Sequence, residues 1–312
     1  MLDTKIFLIS HIADPDGLTA VLLGKLVFKN LEYALANVDE VDEKLKEVIE
    51  NPKYKEIHIV DLNITEEYAE KINNSTYKNK LKIFDHHISN IDLNKYPFIT
   101  VIDEQDGHKE CGTSLYYKYL TSIVDNEYLK RNSTKELVER VRLLDTWEWE
   151  KVGRPEAKDL DIIFSMYGRE GYLKKYLRFI KTHEEFSYTA FDKKLIKIEN
   201  EKIQRYLEQK EKEMMKVKLE GDLVGLVYAE RYRSELGNYL IRKYEDLAYI
   251  VLINVSRGIS YRGKDRTDLS VISKKHGGGG HKNAAGSPLP KDLLKNITEL
   301  IFEKVEWEND NQ

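Results

Sequence analysis

Three observations predict an α/β fold in two domains, the first built on a parallel sheet. Short apolar runs alternate with helix-like stretches through the first hundred residues. A charge-dense helical stretch free of glycine and proline then precedes a new set of strand candidates. The length, 312 residues, sets a prior of about two domains and a sizeable core.

The apolar runs are Ile6–Ile9, Tyr33–Ala36, Ile57–Val60, Leu81–Phe84 and Phe98–Ile102. Helix-like stretches at Leu18–Phe28, Glu40–Glu50 and Glu66–Ile72 separate the first four, and Thr65 is placed to cap the last of them. Strand, helix, strand, repeated, requires crossover connections, hence a parallel sheet with helices on both faces. In such a sheet the ligand crevice lies at the carboxyl ends of the strands. Residues 113–145 read as helical, with Leu137, Val138, Val141 and Leu144 marking the apolar face of STKELVERVRLL. Residues 191–218 keep rough helical spacing at Leu195, Ile198, Ile203 and Leu207 and predict a connecting helix with a largely solvated face. Beyond it, Leu223–Tyr228, Ala248–Asn254 and Ile259–Arg262 predict strands, and Asn283-Ala284-Ala285 the start of a small-residue helix. Domains are expected at 1–190 and 219–312, joined by the helix 191–218.

Composition narrows the function classes. One third of the residues are charged and 41% are hydrophobic, as in a folded globular chain. Lys plus Arg total 50 against 54 Asp plus Glu, a net charge of −4. That balance argues against gripping long nucleic acid by charge alone, and leaves room for a short anionic substrate in a local pocket. The single cysteine, Cys111, excludes an internal disulfide and fits a reducing compartment. The apolar stretch Ile6–Ile9 is too short for a signal peptide or a span, so a cytoplasmic protein without a membrane partner is expected.

Chemistry gathers where the strands end. SHIADPDG places His11, Asp14 and Asp16 after the first strand, Asp61 ends the third in VDLN, and FDHHISN puts Asp85, His86 and His87 after the fourth. Parallel strands lie about 4.8 Å apart, so clusters at the same end of nearby strands converge. Taken singly, Asp-His-His is an ordinary polar loop and Asp-Pro-Asp-Gly is good turn chemistry. Together they bring several carboxylates beside apolar strand ends, where a charge is costly unless paired or metal-bound. Carboxylates and imidazoles without a thiolate suit Mn²⁺, with Mg²⁺, Zn²⁺ or Fe²⁺ as the other choices. Two such ions, roughly 3.5–4 Å apart, are the usual device for in-line displacement at phosphorus.

A second constellation lies near the C-terminus. Gly277–Gly280 are four consecutive glycines, able to take positive φ and close backbone N–H groups on an anion, and His281 and Lys282 follow them. From Arg257 to Lys282 there are seven Lys or Arg against two Asp, a local basic footprint in an acidic chain. Trp147 and Trp149 flank the stretch after Asp145 and fit either base stacking or packing.

HIADPDG, VDLN and DHH resemble the first three motifs of the DHH phosphoesterases. ECGTSLYYKYL is similar to the helix start ahead of that family's fourth motif, Asp145 in LLDTWEW resembles the fourth-motif aspartate, and HGGGGHKNAAG resembles the signature of the associated DHHA1 domain. The resemblance implies an N-terminal Rossmann-like DHH domain and a smaller C-terminal α/β DHHA1 domain. It implies a hydrolase with two Mn²⁺ ions, Mg²⁺ or another divalent ion being the alternative. His11, Asp14 and Asp61 would hold one ion and Asp16, His86 and Asp145 the other, with Asp61 bridging. Asp85 would orient the imidazoles and His87 would face the phosphate. Arg262, Gly278, Gly279, Gly280, His281 and Lys282 would bind substrate. The short two-domain form and the DTWEW stretch resemble the oligoribonuclease (nano-RNase) branch, which implies release of 5′-mononucleotides from very short RNA or DNA. Three other readings stand beside it: a phosphodiesterase for linear or cyclic dinucleotides such as pApA, a phosphatase for 3′-phosphoadenosine phosphate, and a nucleic-acid-binding protein with structural metals. The oligomeric state is open, a dimer among the options.

Overall fold

The five N-terminal apolar runs pair into one sheet. They form β1 (Ile6–His11), β2 (Leu31–Ala36), β3 (Glu56–Val60), β4 (Leu81–Asp85) and β5 (Ile99–Val101), in the order β2-β1-β3-β4-β5 with every pairing parallel. The computed structural model describes residues 2–264, 266–302 and 305. The chain divides into two compact units, Met1–Lys197 and Ile198–Gln312.

In the first unit the inner strands are apolar on both faces, as a doubly covered parallel sheet requires. Leu8 and Val60 turn to one core, with α1 (Pro15–Val27) and later helices, while Ile9 and Ile59 turn to the other, with α2 (Val41–Ile49) and α3 (Glu66–Asn73). α1 is buried nearly all round, which suits its run of Leu, Val and Ala. Asp14 caps it, accepting from Gly17 N at 3.1 Å, with Pro15 in its first turn. Thr65 caps α3 by accepting from Tyr68 N.

From β1 the chain crosses outward to β2, then returns past β1 to β3 and continues away from it. Consecutive crossovers therefore run in opposite directions on either side of the β1/β3 boundary, the switch point at which open α/β sheets bind ligands. A two-residue hairpin, β6 (Glu104–Gln105) and β7 (His108–Lys109), follows β5. The stretch expected to be helical is three helices, α4 (Gly112–Ile123), α5 (Glu127–Lys130) and α6 (Asn132–Asp145), because Val124 is extended and Asn126 starts a new cap. α7 (Asp159–Thr182) was not anticipated, and Gly168, at φ 64°, breaks its apolar period.

The division between units falls within α8 (Ala190–Glu213). The helix was expected to run to Lys218, but it ends at Glu213. Met215–Leu219 is strand β8, joined to β9 (Asp222–Tyr228) by a tight turn in which Glu220 and Gly221 both have positive φ. The second unit adds α9 (Arg233–Lys243), β10 (Tyr249–Asn254), β11 (Gly258–Gly263), α10 (Leu269–Lys275), β12 (Gly279–His281), β13 (Ala284–Ser287) and α11 (Leu293–Ile301). Its six-stranded sheet has the order β12-β13-β11-β10-β9-β8, with only β9 and β10 parallel. The helix expected at Asn283-Ala284-Ala285 is thus a correction: Ala284 and Ala285 lie in β13. Their smallness serves close strand approach, since a Cβ on Gly280 would stand 2.6 Å from Ala285 Cα. Among the described residues no helix is long and apolar enough to cross a membrane.

Candidate metal centre

Each strand end delivers its side chains to the switch point by local geometry. Ser10 Oγ on β1 lies 2.8 Å from the Gly17 carbonyl and 3.2 Å from that of Val60, sharing its one proton between α1 and β3. The carboxylate of Asp16, in the first turn of α1, accepts from Gly112 N (2.8 Å) and Thr113 N (2.7 Å) at the start of α4. α4 comes so close that a Cβ on Gly112 would lie 2.5 Å from Asp61 Cβ, a space only glycine leaves open. Asp61 itself follows β3 in left-handed backbone, φ 60°.

The six residues expected to ligate meet here. His11 Nδ1 lies 2.8 Å from Asp14 Oδ2 and 3.3 Å from Asp61 Oδ2. His86 Nε2 lies 3.2 Å from Asp61 Oδ1 and 3.4 Å from Asp145 Oδ2, at the end of α6. Three sets have ligand atoms within 4.8 Å of one another: His11, Asp14 and Asp61; Asp16, His86 and Asp145; Asp61, His86 and His87. Asp61 and His86 each belong to two of them.

The donor set fits divalent cations. Asp16 and Asp61 are almost wholly buried. Asp61 Oδ2 and Asp145 Oδ2 have no well-formed hydrogen bond, although an imidazole nitrogen stands near each. Burial, then the charge of Asp61, pushes the Asp16 carboxyl up to about 7, and burial with the Asp16 charge pushes Asp145 well above the usual carboxylate range. Hydrogen bonds to Asp14 and Asp61 push His11 up to about 10. Burial opposes a charge on His86, yet Asp61, Asp145 and Asp16 outweigh it and bring that imidazole to about 10. Burial also opposes a charge on Asp61, but hydrogen bonds with His11 and His86 hold it at about 2. The cluster thus collects positive charge as protons, and bound metal ions supply the same charge while using the lone pairs left over.

Asp85 is fully buried. Its Oδ1 accepts from His87 Nδ1 (2.7 Å), His86 N (2.8 Å) and His87 N (3.2 Å), and its Oδ2 from Asn90 Nδ2 (2.7 Å) and Asn63 Nδ2 (3.1 Å). It was expected to orient both imidazoles. It holds the ring of His87 but only the backbone of His86, whose ring is set by Asp61 and Asp145. Sequence reasoning passed over Asn63 and Asn90; their signal was an amide two residues past Asp61 and another soon after the histidine pair.

The C-terminal candidates lie in the second unit. Arg262 and His281 both pair with Ala284, one from β11 and one from β12. Directly opposed residues share a sheet face, so the two side chains project from the same face with small Ala284 between them. Arg262 is half-buried; its Nη2 donates to Ser234 Oγ (3.0 Å) and its Nη1 to the Tyr261 carbonyl (2.9 Å). No carboxylate is hydrogen-bonded to it among the described residues, and burial and nearby Arg233 both lower its affinity for its proton. The open glycine cradle is a correction. Only Gly277 and Gly280 have positive φ, Gly278 N is used by the Ser273 carbonyl, and Gly279 and Gly280 are part of edge strand β12. His281 is exposed, and the Lys282 carbonyl accepts from Leu269 N.

Comparison with known proteins follows the same lines. The model of the DHH family, N-terminal domain, matches residues 5–143. Oligoribonuclease NrnB of Bacillus subtilis (strain 168) is 34% identical over 299 residues, spanning 93% of this chain and 74% of that protein. The pGpG-specific phosphodiesterase PggH from Vibrio cholerae superposes with a TM-score of 0.55 at 12% identity, over 96% of this chain and 97% of its own. Exonuclease RecJ bound to manganese does so with a TM-score of 0.51 at 14% identity, over 95% and 89%. Both are likenesses of fold. One third identity along nearly the whole chain, on a sheet whose switch point gathers these acids and imidazoles, makes this chain a member of the DHH family in its oligoribonuclease branch, and a metal-dependent phosphoesterase.

Proposed function

We propose that the protein is a Mn²⁺-dependent phosphodiesterase that releases 5′-mononucleotides from RNA or DNA of about two to five nucleotides, a length set by how little a chain of this charge gains from further phosphates. The observation that carries it is Asp61, a buried carboxylate in left-handed backbone that belongs to two ligand sets and has an oxygen without a good partner. His11, Asp14 and Asp61 would hold one ion, and Asp16, His86 and Asp145 the other. Cys111 offers no thiolate, since burial first and the Asp16 charge second push it well above the usual thiol range; the remaining donors suit Mn²⁺. Exonuclease RecJ, similar in fold, is bound to manganese, which supports the same ion. When bound, the ions activate water and stabilise the charge that grows on the phosphoryl oxygens.

The chain's own groups do the rest. Asp85 locks the His87 ring through Nδ1 and raises its affinity for a proton, leaving Nε2 of this half-exposed ring to donate to a phosphate oxygen. In the second unit, Arg262 and His281, on one sheet face, anchor the terminal phosphate or nucleotide. A half-buried guanidinium to which no carboxylate is hydrogen-bonded among the described residues has N–H groups to offer an anion from outside.

Product analysis with pApA, a 5-mer RNA, a 24-mer RNA and 3′-phosphoadenosine phosphate tests the reading. The dinucleotide is included because the Vibrio cholerae relative is named for one. The expected result is 5′-mononucleotide from pApA and the 5-mer, lower kcat/KM on the 24-mer, a mild salt dependence, loss of activity in EDTA and better recovery with Mn²⁺ than with Ca²⁺. Efficiency that climbs with length and falls steeply with salt would point to a long-strand exonuclease. Phosphate release from 3′-phosphoadenosine phosphate as the main activity would point to a phosphatase.

A further inference from the structure

α6 ends at Asp145, and Thr146 closes it: its N lies 3.0 Å and its Oγ1 2.7 Å from the Arg142 carbonyl. The next residue, Trp147, has φ 60°. Just past a helix cap is where chains commonly turn out through glycine, because a Cβ crowds left-handed backbone. A bulky side chain in that conformation is an outlier that the surroundings must enforce.

Here the surroundings do enforce it. Glu148, the next residue, is buried and paired with Arg142 at 2.5 Å, and Arg142 in turn donates to the Lys109 carbonyl at 2.8 Å. Trp149 N lies 3.4 Å from the Leu143 carbonyl, and the Trp149 carbonyl accepts from Arg154 N at 2.7 Å. The two tryptophans then separate in role. Trp149 is the packing residue, its Nε1 buried and Lys158 lying 5.0 Å over its ring. Trp147 rests against it, ring centroids 5.9 Å apart, and stays 42% exposed. The chain thus holds a large aromatic in a conformation that glycine would take freely, presents it to solvent, and does so two residues beyond a carboxylate of the metal cluster.

We propose that Trp147 is the platform on which a nucleobase beside the scissile phosphate stacks, an assignment that rests on the oligonucleotide reading above. Every base has a flat π face, so such a platform adds affinity without selecting a sequence. That suits an enzyme for short oligonucleotides of mixed composition.

The test uses pApA and its two analogues that each lack one adenine, with wild type, Trp147→Ala, Trp147→Phe and Trp147→Gly, in Mn²⁺. For wild type, removing one of the two bases raises KM about tenfold, the range of a single stack. Trp147→Ala raises KM for pApA by a similar factor, changes kcat little, and abolishes the penalty for the missing base; Trp147→Phe restores most of it. Trp147→Gly shows the same KM but melts at or above the wild-type temperature, because it relieves the left-handed backbone. An unchanged KM for pApA in Trp147→Ala overturns the proposal, as does an equal rise for all three substrates. Should wild type turn over none of them, the oligonucleotide reading fails by itself, and the same ratios measured as dissociation constants by calorimetry decide Trp147 separately.

Discussion

Among single residues, Asp61 shows most directly how burial, backbone and charge combine. Its left-handed backbone and Gly112 beside it hold the carboxylate where His11 and His86 both reach it. Asp61→Asn keeps the shape and removes the charge from two ligand sets. The expected outcome is activity lower by two or more orders of magnitude, about 3 kcal/mol or more of lost stabilisation, with a native circular dichroism spectrum and less bound metal by elemental analysis. Near wild-type activity and metal content would contradict the shared-carboxylate reading. His58 is the opposite case, a buried imidazole outside the candidate ligand sets found among the described residues. It bonds Tyr116 Oη (2.8 Å) and Glu56 (3.0 Å) amid four aromatic rings. Burial lowers its pKa below the ordinary 6.5; Glu56 opposes this and Lys82 adds to it. The unfolded chain therefore takes up a proton that the folded chain refuses, and stability present above about pH 6.5 is lost as pH falls below it. Denaturant midpoints between pH 7.5 and 5 should fall more steeply for wild type than for His58→Gln, by at most about 1.4 kcal/mol per pH unit. Equal slopes would mean that His58 is not neutral in the fold.

At the scale of elements, α4 is the piece that completes the site. It adds nothing to the candidate ligand sets found among the described residues, yet its first two N–H groups hold the Asp16 carboxylate and its first residue abuts Asp61. A helix N-terminus favours the ionised form of such a partner, offsetting part of its burial. Gly112→Ala separates propensity from contact. Alanine favours a helix by about 1 kcal/mol, but its Cβ would lie 2.5 Å from Asp61 Cβ. Overpacking of this kind costs about 1–3 kcal/mol, so the variant should melt lower and bind Mn²⁺ more weakly by calorimetry. A more stable Gly112→Ala enzyme with unaltered metal affinity would show that α4 can move away freely.

At the scale of the whole molecule, the proposed metal ligands and the proposed substrate contacts fall in different units. The acids and imidazoles of the metal cluster all lie before Lys197, and Arg262 and His281 lie after Ile198. Arg262→Ala should raise KM for charged oligonucleotides about tenfold or more, the scale of a lost charge-assisted hydrogen bond, and leave metal content unchanged. Loss of metal in that variant would break this division. The net charge of −4 belongs to the same scale. On the proposed reading, a chain of this balance gains little from added phosphates, so binding rests on a few placed groups.

What the sequence determined by itself is the parallel sheet and the polar residues at its strand ends. Apolar runs followed by His11, Asp14, Asp16, Asp61 and His86 carry that information locally, and parallel strands bring equivalent ends together whatever the details. The strand β13 was not legible, since Ala284 and Ala285 are small for either a helix or a crowded strand and only their neighbours decide. The end of α8 was lost because charges mask the alternation of Met215–Leu219. Tertiary structure alone decided that Asp85 holds the His87 ring but not that of His86, that Gly112 meets Asp61, and that Trp149 is packed while Trp147 faces solvent. The bond from Gly112 to Asp16 spans 96 residues of chain. Contacts at that range depend on how helices settle against the sheet, and a local pattern of residue types does not encode that packing.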